Sequence, residues 1–70
     1  MQLVYSVHAR ERMEERAITE EEIVAVITNP TRQSISRTGN LLYSGRVNGR
    51  ELTVVIGRGS NPTAVVTVWD

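Results

Sequence analysis

His8, Arg12 and Arg16 stand four residues apart, so on a helix they lie one turn above another in a slowly drifting stripe. His8 is the only histidine of the chain, and an imidazole that titrates near neutrality can give or take a proton. The two arginines behind it present planar, multiply donating cations suited to phosphate or carboxylate. Other chemistries find little support. One histidine, no cysteine and glutamates gathered at a helix start give no credible metal-ligand set. The only aspartate is Asp70 and no nucleophile elbow is present, which argues against a Ser-His-Asp relay. Gly57-Arg58-Gly59 has no following helix to cradle a phosphate, so no nucleotide motif and no cofactor is implied.

The elements that must carry these residues follow from local pattern. Met1 to Tyr5 suits a short leading strand, and Ser6 is placed to cap a helix from about Val7 with Ala9, Met13 and Ala17 as a narrow apolar stripe. Thr19 with Glu22 forms a capping box for a second helix, with Ile18 and Ile23 at the staple positions. Glu20, Glu21 and Glu22 read as a solvated first turn that complements the helix dipole. Ile23, Val24, Val26 and Ile27 are its buried side, and Asn29-Pro30 ends it.

After Pro30 the period changes to two. Arg32 to Arg37 is a weak strand around Ile35, followed by a turn at Thr38-Gly39-Asn40. Asn48-Gly49 signals a type I′ hairpin between Leu41–Val47 and Arg50–Gly57. Its register pairs Val47 with Arg50, Arg46 with Glu51, Gly45 with Leu52 and Tyr43 with Val54. Leu41, Tyr43, Val47, Leu52, Val54 and Ile56 then face the helices. Leu42, Ser44, Arg46, Glu51, Thr53 and Val55 face away, joined by Val65 or Trp69. Gly57 to Pro62 is a loop, and Thr63 to Trp69 is the last strand. The expected fold is a single α+β domain over residues 1–70: two helices on one face of a four-stranded antiparallel sheet, five-stranded if the leading segment joins.

Composition narrows the setting. Without cysteine, a signal-like start or an apolar run of membrane length, the chain is expected to be cytoplasmic and away from membranes. Net charge is zero, which argues against a general nucleic-acid binder. The charges are uneven, however. Residues 1–30 hold three arginines against six glutamates, whereas residues 31–70 hold five arginines against Glu51 and Asp70. All eight cations are arginine, a bias that also fits a GC-rich coding sequence.

His8-Ala9, then Arg12, Glu15-Arg16-Ala17-Ile18 and the Thr19-capped acidic helix form an order that resembles the DUF4258 family, small bacterial proteins similar to the RelE-like toxins. The terminal Val66-Thr67-Val68-Trp69 fits the same pattern. That resemblance implies metal-independent RNA cleavage, with His8 as acid or base and Arg12, Arg16 and Arg46 on the phosphate. Trp69 would stack a base and Tyr43 is a second proton-transfer candidate, although the register turns Tyr43 toward the core. It also implies an antitoxin-like protein partner. Family members often carry glycine where this chain has Ala17, so the link between the helices is either strained or differently shaped.

Each of these residues also has a structural reading. His8 can complete a helix start, Arg12 and Arg16 can pair with nearby glutamates, Arg46 can pair with Glu51 across the strands, and Trp69 can cover the core edge. The alternative to an enzyme is therefore a protein-interaction module or homodimer that uses the sheet face opposite the helices, with Leu42 and Val55 at its centre and Arg46 at its rim.

Overall fold

One side chain joins the first strand to the first helix. The Ser6 hydroxyl accepts from the Ala9 N–H at 3.0 Å, capping the helix, and donates to the Val66 carbonyl at 2.6 Å. In the computed structural model, which describes residues 2–59 and 61–70, this serine separates β1 (Leu3–Tyr5) from α1 (Val7–Arg16). The expected strand start at Met1 and the loop residue Ser60 lie outside the described residues. There follow α2 (Glu20–Thr28), β2 (Arg32–Ile35), β3 (Leu41–Val47), β4 (Arg50–Ile56) and β5 (Thr63–Trp69).

The link between the helices is strained. Ala17 caps α1 in the left-handed region, φ 53° and ψ 44°, and its N–H reaches back to the carbonyls of Met13 and Glu14. A side chain there costs about 1 kcal/mol relative to glycine. Ala17 is thus an exposed cap, not the third member of the apolar stripe. The second helix starts as expected: Thr19 accepts from the Glu22 N–H at 3.1 Å and the Glu22 carboxylate accepts from the Thr19 N–H at 2.9 Å. Ile18 and Ile23 are buried, and the helix stops at Asn29 before Pro30.

The strands form one five-stranded sheet in the order β1-β5-β4-β3-β2. The sheet is mixed, because β1 runs parallel to β5 while every other pair is antiparallel. A three-residue strand carries no directional signal in its sequence, and only the crossover made by the rest of the chain sets its sense. The hairpin has the expected register, Val47 opposite Arg50 through Tyr43 opposite Val54. Asn48 and Gly49 have φ of 52° and 81°, both positive as a type I′ turn requires.

Packing follows the faces. Leu52, Val54 and Ile56 are buried against Ala9, Met13, Ile18, Ile23 and Val26, with Leu41, Tyr43 and Val47 packed around them. One assignment changes. Val65 lies fully buried in the core, as does Val68. A register shift makes Val55 oppose Thr67 while Ile56 opposes Val65, so Val66 is an extra residue between them. This bulge turns two residues three apart to the same side, which simple alternation cannot do. Trp69, opposite Thr53, stays on the face away from the helices.

Candidate functional site

The candidate residues divide between the two sides of the sheet. On α1, His8 is exposed and Arg12 is half-buried, with Nη1 3.8 Å from Glu15 one turn on. Arg16 reaches Asp70 at 3.5 Å. Arg46 and Trp69 belong to the opposite face, since their register partners Glu51 and Thr53 alternate with the buried Leu52 and Val54. Arg46 stands opposite Glu51 as expected, yet its Nη2 donates to the Gly49 carbonyl at 3.3 Å and no ion pair joins the two side chains. The sheet therefore lies between His8 with its helical arginines and Arg46 with Trp69. Tyr43 is half-buried and packs against the core, as its register implies.

The densest polar cluster forms around a residue outside the expected set. Arg50 is the first residue of β4 and faces the helices. Its Nη1 donates to the Arg16 carbonyl and its Nη2 to the Ala17 carbonyl, both at 2.8 Å, so it satisfies the end of α1. Nη2 also lies 2.9 Å from Glu22 Oε1, and Nη1 lies 3.4 Å from Asp70. Asn48 donates to Glu22 Oε2 at 2.9 Å. Glu22, expected in solvent, is 6% exposed and receives donors on both carboxylate oxygens. The Thr19 N–H first, then the Asn48 amide, and then Arg50 hold its carboxyl down to about 2 against the opposing effect of burial. Among the described residues no buried side-chain nitrogen or oxygen lacks a partner.

The sequence did contain a signal for this cluster. Pairing Val47 with Arg50 puts both on the inner side, and an inward arginine requires an anion and carbonyls to receive it. The capping-box glutamate and the uncapped end of the helix are those acceptors. A second, smaller arrangement lies at the end of β1, where the Arg10 guanidinium sits 5.1 Å from the centroid of the Tyr5 ring. Burial first, and then the Glu20 carboxylate, push the Tyr5 hydroxyl above its ordinary range, with Arg10 pulling the other way.

The face opposite the helices carries Val4, Leu42, Val55, Thr67 and Trp69 across four adjacent strands. Val4 is 45% exposed and Trp69 41%. Val55 is buried by its own neighbours, Leu42 and Thr67, so the accessible apolar surface belongs to the residues around it. Ser44 and Thr53 join side chains at 2.9 Å on the same face.

These features define a small two-layer α+β domain: a polar clasp fixes one end of its sheet, and one sheet face is left uncovered. The chain belongs to the DUF4258 family, a domain of unknown function whose model matches residues 5–70. No curated protein and no solved structure matches it. No helix among the described residues is long and apolar enough to cross a membrane, and no group of three or more potential metal-binding side chains occurs among them.

Proposed function

We propose that this domain is a protein-interaction module that associates with a second copy of itself through the sheet face opposite the helices. The observation that carries the reading is that uncovered face, on which Trp69 and Val4 are exposed around Leu42 and Val55. Aromatic and aliphatic centres inside a polar rim are the composition of protein interfaces. The rim carries both signs, Arg46 beside Glu51, so that two identical surfaces related by a two-fold axis can set opposite charges against each other. Size supports it too. A molecule of 30 × 25 × 23 Å offers on one side an area near the ~800 Å² per partner typical of stable complexes. Sheets stacked at about 10 Å would interdigitate these side chains. RNA binding calls for a broader positive field than this face provides.

A RelE-like ribonuclease is the second reading, favoured by the exposure of His8 one turn before Arg12. A single assay compares the two. Purified protein incubated with single-stranded RNA and a chelator is expected to leave it intact. Cleavage that drops by about 10²-fold in a folded His8→Ala variant would instead support the enzyme.

A further inference from the structure

At the edge of the sheet, β2 is exposed along all four of its residues, and neither helix packs on it. Its hydrogen-bonding parity is fixed. The Ser36 N–H donates to the Asn40 carbonyl at 2.8 Å, and the register continues as Ser34 opposite Leu42 and Arg32 opposite Ser44. Residues 32, 34 and 36 therefore turn their backbone groups to β3, and Gln33 and Ile35 turn theirs to solvent. Along this edge Gln33, Ser34 and Ile35 line a groove of about 480 Å³ together with Leu41, Leu42 and Tyr43 of β3. A second depression of about 230 Å³ continues it past Ile27 and Ile56 to Gly59, sharing Leu41 and Tyr43. Ile35 is 59% exposed at its mouth.

Charge identifies the occupant. Arg32 and Arg37 bracket the strand, Arg58 lies in the loop at the Arg37 end, and none of the three has an ion-pair partner among the described residues. With the outward groups on Gln33 and Ile35, antiparallel pairing of β2 with its own copy about Ser34 sets Gln33 opposite Ile35, which brings Arg32 of each copy within one residue of the other's Arg37 and gathers four arginines at the seam with no anion among them. We infer that β2 accepts a strand from a different protein: an extended segment with acidic residues at its ends and β-branched or aliphatic residues at its centre. Its backbone pairs with Gln33 and Ile35, alternate side chains enter the groove over Leu41 and Tyr43, and its carboxylates meet Arg32 and Arg37. This inference builds on the reading of the domain as an interaction module and uses the outer edge of β2, whose free backbone groups point sideways out of the sheet and not across its open face.

Selection from random-sequence peptides displayed on phage tests it without presuming a sequence. The expected product is a family with acidic ends and a β-branched centre, whose binding slows amide exchange at Gln33 and Ile35. Gln33→Pro removes one outward N–H at an edge position where proline is tolerated, and is expected to weaken binding at least about tenfold with an unchanged circular dichroism spectrum. Ile35→Glu is expected to do the same through the groove. Arg32→Glu with Arg37→Glu is expected to select basic ends instead. Absence of enrichment, selected peptides indifferent to both Gln33→Pro and Ile35→Glu, or preference for a single-stranded RNA oligonucleotide over every peptide would overturn the inference. If β2 variants change nothing while Trp69→Glu abolishes self-association, the edge-strand inference falls and the open-face reading stands.

Discussion

The hairpin end of the sheet and its β2 edge use the same amino acid in opposite ways. At the hairpin end Arg16 and Arg50 meet Glu22, Asp70 and the carbonyls that finish α1. Along the β2 edge and in the loops beyond it Arg32, Arg37 and Arg58 are exposed, and none has an ion-pair partner among the described residues. The difference teaches that arginine content alone cannot mark a binding surface: the clasped cations hold the fold together, and the unpaired ones remain available to a partner. A search for sites by residue type selects Arg12 and Arg16 for their spacing and misses Arg50, whose inward register position gives it the larger structural role.

The comparison is broken most easily at the clasp. Arg50→Ala leaves Glu22 buried beside no cation and strips two carbonyls of their donors, and should destabilise the domain by about 3 kcal/mol in urea unfolding. If the loss were no greater than for Arg32→Ala or Arg37→Ala, the two regions would be equivalent and the distinction would fail.

Acid should act at the same place. The Glu22 carboxyl sits near 2 in the folded protein against 4.5 for the ordinary group, so the folded state holds the proton less tightly than the unfolded one. Its stabilisation is complete above about pH 4.5 and is lost as pH falls toward 2, an effect on the order of 2 kcal/mol after allowance for solvent screening. Glu22→Gln is expected to flatten that part of the stability profile. An acid limb of unchanged slope in the variant would assign the pH dependence to another group.

Backbone changes give smaller effects of opposite sign. Gly49→Val forces a β-branched residue to φ 81° and should cost about 1–2 kcal/mol. Ala17→Gly relieves a left-handed alanine at φ 53° and should stabilise by about 0.5–1 kcal/mol, read as a raised urea midpoint. At the β2 edge, Arg32→Ala and Arg37→Ala are expected within about 0.5 kcal/mol of wild type. A larger loss at either would mean that these arginines serve the fold.

Much of this architecture was legible in the sequence because it depends on local rules. Ser6, the Thr19–Glu22 box, Asn29-Pro30 and Asn48-Gly49 set their own boundaries, and the hairpin turn alone fixed the register of β3 and β4. What escaped was non-local. The parallel pairing of β1 depends on where the far end of the chain returns, and the bulge at Val66 depends on the Ser6 contacts and on core packing of both Val65 and Val68. Glu22 looked solvated because its neighbours Glu20 and Glu21 are; beside the local Thr19 N–H, its donors are Asn48 and Arg50, more than twenty-five residues away. The candidate site residues were visible by type, but the sheet that separates His8 from Arg46 and Trp69 appears only in three dimensions.

The claim that the open face joins two copies is tested most directly by mass in solution. Sedimentation equilibrium across a wide concentration range should show the 7.8 kDa chain shifting to twice that mass, and Trp69→Glu, folded by circular dichroism, should hold it at the monomer. A wild type that remains at 7.8 kDa at every concentration, or a Trp69→Glu variant that dimerises as well as wild type, would contradict it.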